Sequence, residues 1–250
     1  MNASKKLVSR VPEITIIFWI IKILSTTVGE TCADFLAFGL NLGMTTVAFF
    51  MSSIMAVLLI IQFSKLNKYI PANYWAIVIL MSIIGTLITD ILVDDLGVSL
   101  VTLSIIFTLA MLAGFLLWYR SEHTLSIHSI NTNKREAYYW FIILIAFALG
   151  TGLGDLISEH LALGYGYALF LFAGLIASIA FNYYAFKLNA ILIFWFAYLL
   201  TRPLGASLGD YLIQPTFEGG LGLDMLSVNV VFFTTIVALI GYLTVKNRST

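Results

Sequence analysis

The sequence predicts an all-α integral membrane protein: eight transmembrane helices built from four two-helix repeats in parallel orientation, with N- and C-termini cytoplasmic. Three observations lead there. Hydrophobic residues make up 60% of the 250 and charged residues only 10%, far below the quarter that wets the surface of a soluble domain. Apolar runs of roughly 20 residues, the length that crosses a bilayer core of about 30 Å, occur one after another along the chain. A tryptophan, a glycine and an aspartate recur at constant spacing in every second run.

The runs lie near 14–37, 43–63, 74–93, 99–119, 138–157, 163–186, 188–213 and 224–244. Before the first, MNASKKLVSR has the basic start of a signal peptide. The run that follows is too long for a signal core, contains Glu13 and Lys22, and ends without a small-residue cleavage site, so it reads as a retained span. Pro12 and Pro71 stand just ahead of the first and third runs, where the missing N–H costs a helix nothing. The stretch 120–136, RSEHTLSIHSINTNKRE, reads as a solvated connector between two four-helix halves. Its His123 and His128 lack the further ligands a metal site needs.

Orientation follows from lysine and arginine, which accumulate on cytoplasmic loops. Lys5, Lys6, Arg10, Lys65, Lys68, Arg120, Lys134, Arg135, Lys187, Lys246 and Arg248 all fall on the termini or on alternate connections, leaving Lys22 and Arg202 inside spans. The 13 basic and 13 acidic residues cancel, and net charge suggests no nucleic-acid partner. The partners expected are the lipid bilayer and a small cation or solute. The single Cys32 excludes an intramolecular disulfide and a cysteine-based zinc cage. Its helical position, about 200° from Glu30 and Asp34, makes it a poor ligand beside them.

The internal repeat has the form W-x(9)-G-x(4)-D. Trp19, Trp75, Trp140 and Trp195 are followed by Gly29, Gly85, Gly150 and Gly205, then by Asp34, Asp90, Asp155 and Asp210. Each copy continues to a Leu-Gly pair that opens the even run: Leu42-Gly43, Leu96-Gly97, Leu163-Gly164 and Leu221-Gly222. The chain therefore divides into repeats at 11–69, 70–120, 137–187 and 188–245, with 121–136 as the connector. In this pattern it resembles a bacterial membrane-protein family of four tandem two-helix repeats of unknown function, the domain-of-unknown-function 347 repeat. The resemblance covers almost the whole chain and implies a multi-pass protein of the bacterial inner membrane. It carries no chemistry.

Two spans per repeat bring each copy into the bilayer the same way up, so equivalent residues share a depth. If the odd helices face a common axis, the four aspartates form a ring. Fifteen residues at about 1.5 Å rise place that ring some 22 Å beyond the tryptophans, in the outer part of the membrane. The tryptophans, near the cytoplasmic boundary, read as interfacial anchors or packing, and the remaining aromatics as a lipid-facing shell.

Positions three, seven, eleven and fifteen beyond each tryptophan share a helix face. They are Lys22, Thr26, Glu30 and Asp34; Val78, Ser82, Thr86 and Asp90; Ile143, Phe147, Thr151 and Asp155; Tyr198, Arg202, Ala206 and Asp210. Four residues further out come Phe38, Asp94, Glu159 and Gln214, of which the last three extend the polar lining into the outer loops, while His160 beside Glu159 reads as a solvated loop histidine. Pro203, beside Arg202, removes a backbone hydrogen bond, and breaks of that kind often mark transporter binding sites.

The stripe leads to an expected function: a transporter or channel for a small cation, coupled to protons through the same groups. Asp34, Asp90, Asp155, Asp210 and Glu30 are the candidate ion and metal ligands, with Thr86 and Thr151 as neutral oxygen donors and Lys22 and Arg202 as charge partners. Carboxylate and hydroxyl oxygens favour hard ions, with a divalent one such as Mn²⁺ first. No cofactor is expected other than that cation as substrate. An alternative is a proton-coupled transporter of a small anionic or zwitterionic solute held by Arg202 and Lys22. A membrane enzyme lacks any recognisable nucleophile, metal or phosphate motif, and a non-transporting structural or sensor subunit has little soluble surface to work with. A purely structural reading pairs Lys22 with Glu30 and Arg202 with Asp210.

Overall fold

The computed structural model describes residues 9–66, 68–161 and 163–249, and the side chains of 159 and 247–249 lie outside that description. Lys5, Lys6 and the side chains of Glu159 and Arg248 are thus outside the described residues. Among those described there are no strands. Eight long helices appear: α1 (Ile16–Asp34), α2 (Met44–Ile61), α3 (Pro71–Asp90), α4 (Leu100–Glu122), α5 (Asn133–Asp155), α6 (Tyr165–Phe186), α7 (Ala190–Ile213) and α8 (Met225–Ser249). All eight are long and apolar enough to cross a membrane.

The odd helices form the inside and the even helices the outside. In the most apolar stretch of each span, 56–67% of residues are buried in the odd helices and 6–22% in the even ones. The odd helices contact one another in a closed cycle, α1 with α3, α3 with α5, α5 with α7 and α7 with α1. Each even helix packs chiefly on the odd helix of the next repeat: α2 on α3, α4 on α5, α6 on α7 and α8 on α1. The repeats thus interlock around a ring.

The glycine of the repeat is what lets the ring close. A Cβ on Gly29 would fall 1.9 Å from Ser82 Oγ, on Gly85 2.6 Å from Phe147 Cβ, on Gly150 2.3 Å from Arg202 Cγ, and on Gly205 2.1 Å from Thr26 Oγ1. Each glycine therefore receives the residue seven beyond the tryptophan of the next repeat, and small residues permit such close helix approach. The Leu-Gly pair has a different cause. Gly43, Gly97, Gly164 and Gly222 all have φ between 64° and 79°, a left-handed conformation that costs other residues steric strain.

In the first three repeats the aspartate is the last residue before a π-helical turn, Phe35–Gly39, Ile91–Asp95 and Leu156–His160. The fourth repeat departs: α7 stays α-helical past Asp210 to Ile213. It also stays helical through Pro203, so the expected break does not occur. Instead the proline ring is part of the tight contact with Gly150, its Cδ 3.0 Å from where a Cβ would stand.

Two other expectations are sharpened. Of the two roles expected for the tryptophans the structure shows packing: Trp75, Trp140 and Trp195 are 0, 3 and 4% exposed, Trp19 is half-buried, and with Phe18, Tyr74, Tyr139, Phe194 and Tyr198 the three buried ones make one continuous aromatic layer. The connector is not simply solvated. Ile127, Ile130 and Glu136 are buried, and residues from Asn133 onward already belong to α5. Both changes share a cause, since one end of the ring needs apolar cover and the nearest chain supplies it.

Candidate functional site

The stripe read from the sequence faces the ring interior. Lys22, Thr26, Val78, Ser82, Thr86, Ile143, Phe147, Thr151, Arg202 and Ala206 are all 0% exposed, and Tyr198 is 1%. At the level of Arg202 the ring is closed by side chains.

Arg202 holds the centre. One terminal nitrogen lies 2.8 Å from Glu30 Oε2, donates to Thr151 Oγ1 at 2.6 Å and makes a very short contact with Thr86 Oγ1. The other donates to the Thr26 carbonyl at 3.2 Å. Thr86 Oγ1 in turn donates to Glu30 Oε2 at 3.1 Å. One guanidinium on α7 thus ties together α1, α3 and α5. The pair is all but sealed, with side chains 1 and 6% exposed, and a fork of donors suits several acceptors at once.

The observed ion pair joins Arg202 to Glu30, where the structural reading paired Arg202 with Asp210 and Glu30 with Lys22. Lys22 Nζ stands 4.3 Å from the ring centres of both Phe147 and Tyr198, with no hydrogen-bond partner. Arg202 Nε is likewise unpartnered.

The aspartates stand further along the ring. Asp210 is buried, at 6%, whereas Asp34, Asp90 and Asp155 are half-buried. The strongest charges acting on Asp90 are carboxylates, in order Glu30, Asp155, Asp34 and Asp94. The acids are close enough to influence one another, but they do not form a ready metal cage. Among the described residues, no group of three or more His, Cys, Asp or Glu side chains is placed to hold a metal ion. Beyond them the lining opens: Phe38, Asp94 and His160 are exposed and Gln214 is half-buried. Cys32 is a half-buried free thiol.

A second polar cluster, not anticipated from the sequence, lies at the tryptophan end. Glu136, 0% exposed, accepts from Arg10 at 2.7 Å and from Gln62 Nε2 at 2.8 Å, and Asn73 Nδ2 donates to Gln62 Oε1 at 2.8 Å. The Arg10 backbone N–H donates to the Ile130 carbonyl at 2.9 Å. The partners of Glu136 lie 126 and 74 residues away in the chain, which is why periodicity along one helix gives no sign of them. Trp195 Nε1 donates to the Leu125 carbonyl at 2.9 Å and fastens the connector to the aromatic layer.

A model of the family described as Repeat of Unknown Function (DUF347) matches residues 17–65, 73–124, 138–189 and 193–249. No curated protein and no solved structure matches the chain.

Proposed function

The chain belongs to the DUF347 repeat family, whose description assigns no activity, and from that premise we propose that it is a membrane transporter or channel for a small cation, coupled to protons. One observation carries this: the odd helices close a ring in which the buried Arg202 is already engaged by Glu30, and the repeat sets Asp34, Asp90, Asp155 and Asp210 at one further level of that ring. Like charges gathered inside a membrane protein require a proton or a cation among them, and intramembrane ionisable groups are functional by default.

The basic residues set the orientation: both termini in the cytoplasm, the four repeats parallel, and the aspartates on the outer side of a bacterial inner membrane. A divalent ion such as Mn²⁺ is the first candidate cargo, because the available ligands are hard oxygens.

The test is flux in proteoliposomes with Mn²⁺ and Na⁺ as probes. Asp90→Asn and Asp155→Asn should abolish uptake of the transported ion while the purified variants stay folded. Wild-type flux in both would remove these residues from the mechanism.

A second reading has its own observation. Lys22 Nζ and Arg202 Nε are buried donors without acceptors, and an anionic or zwitterionic solute could fill them after rearrangement. Loss of solute binding in Arg202→Lys, with cation binding kept, would favour it.

A further inference from the structure

Counted from the first residue of each even helix, the four repeats keep one register. The residue three beyond it, Val47, Leu103, Ala168 or Val228, is buried in every copy. Fifteen beyond it come Leu59, Phe115, Ala180 and Ile240; the other three pack against the core, whereas Ala180 is exposed. Eighteen beyond it, Gln62 and Trp118 are 2 and 0% exposed and Leu243 is half-buried, but Tyr183 is 37% exposed. In α4 these positions close the seam, since Phe115 and Trp118 both meet the Trp195 ring edge-on, with centres 4.9 and 5.7 Å apart. On α6 an alanine stands where that seam has a phenylalanine. Beside it lies a cavity of about 550 Å³.

The cavity is bounded by α1, α6, α7 and the connector, and its walls are mostly apolar: Ile23 on α1, Ile176 and Ile179 on α6, Phe194 and Ala197 on α7. Polar groups gather at the tryptophan end, where Ser126 and His128 of the connector join Tyr183 and Tyr184 of α6. Thr201, further along α7, is already satisfied, its hydroxyl donating to the Tyr198 carbonyl at 2.6 Å. Lys187, exposed, stands one turn beyond Tyr183, and its backbone N–H donates to the Tyr183 carbonyl at 3.1 Å. Among the described residues no aspartate or glutamate lines the cavity. Glu13, exposed, precedes the lining Ile14, and Glu122 is held by Lys134 and Arg135. Ala180 and Tyr184 are exposed on helices long and apolar enough to cross a membrane, so the medium at the cavity rim is lipid.

We propose that this cavity is a phospholipid site, with one acyl chain along the isoleucine wall and the headgroup phosphate at the tryptophan end, among the donors of Ser126, His128, Tyr183, Tyr184 and Lys187. The volume falls within the roughly 300–1,000 Å³ of ligand pockets. The division of the walls selects the ligand: a chain restores the dispersion contacts that a gap forfeits, tyrosine suits the headgroup level, and basic pockets between membrane helices bind lipid headgroups. A purely apolar solute leaves the donors unanswered, and a soluble anion leaves most of the volume empty. The bound lipid joins α6 to α1 and supplies the cover that Phe115 and Trp118 give α4. The inference rests on the chain crossing a membrane and not on what it transports.

The test is fluorescence quenching of the detergent-purified protein by phosphatidylglycerol with brominated chains. Of the five tryptophans, Trp19 lines the cavity and the other four are 0–4% exposed. The wild type should show saturable quenching that Trp19→Phe abolishes. Ala180→Phe, which gives α6 the side chain α4 has at that position, should fill the cavity and remove the saturable phase. Residue 180 is exposed, so the fold accommodates the ring, and an unchanged melting temperature verifies it. Lys187→Gln, also at an exposed position, should weaken phosphatidylglycerol about fivefold and leave brominated diacylglycerol, which lacks the phosphate, unaffected. Equal affinity for the two lipids in the wild type, or undiminished saturable quenching in Ala180→Phe, would overturn the site. A lipid-free dimer that Ala180→Phe disrupts would overturn it too, because a second copy would then cover this face.

Discussion

Removing the carboxylate of Glu30 should expose how the ring balances its central charge. In Glu30→Ala the guanidinium of Arg202, 1% exposed, keeps bonds to Thr86, Thr151 and the Thr26 carbonyl. Those groups orient it but neutralise nothing. Breaking a buried ion pair from one side costs about 3–5 kcal/mol, or a Tm fall of about 6–20 °C at about 2–4 °C per kcal/mol for a chain of this size. The lower part of the range is expected. Glu30 and Asp90 are both carboxylates whose stripe positions differ by four residues, about 6 Å of axial rise, so removing Glu30 relieves repulsion. Replacing both partners, Glu30→Ala with Arg202→Met, should recover most of the loss, because apolar replacements of buried pairs are commonly neutral or stabilising by about 1–4 kcal/mol. Thermal unfolding of the four proteins in one detergent measures the cycle. A single variant within about 1 kcal/mol of wild type, or a double variant no better than Glu30→Ala, would refute the claim that this pair balances the ring.

The remaining predictions concern closure, the connector and one loop. Gly205→Ala places a Cβ 2.1 Å from Thr26 Oγ1 and 3.0 Å from the Thr27 backbone nitrogen, and overpacking of this kind costs about 1–3 kcal/mol; Gly174→Ala, with nothing within 4 Å, should cost nothing, and equal melting of the two would contradict the ring contact. Arg10→Ala leaves Glu136 buried without its ion pair and should destabilise by about 3–5 kcal/mol, with faster proteolysis at the N-terminal segment as the readout; Glu136→Gln should be milder, since an amide oxygen still accepts from Gln62. Asp224 accepts from the Ser227 hydroxyl at 2.7 Å and N–H at 2.8 Å, which lowers its carboxyl below the ordinary value. The stabilisation this lends the start of α8 is therefore complete above the unfolded carboxylate pKa and is lost as pH falls through the depressed folded one. Hydrogen exchange of the first turn of α8 should show that acid-side loss, and an identical pH profile in Asp224→Asn would dismiss it.

Eight spans, the fourfold repeat and the inward stripe could be read directly from the chain, because each is a local periodicity: apolar length, a tryptophan-to-aspartate spacing, and every fourth residue on one helix face. Thr86, Thr151 and Arg202 could be placed on the inward stripe for the same reason, but that the two threonine hydroxyls bind the guanidinium came only from the structure. What tertiary structure alone decided was partnership. Glu30 took Arg202 because α1 and α7 close the ring, while Lys22 was left between Phe147 and Tyr198; no spacing along one strand of sequence distinguishes these outcomes. Glu136 and Arg10 lie 126 residues apart, and the aromatic layer draws on every odd helix. A charge inside a membrane must be answered by whatever group the packing brings near, and that choice is made between helices.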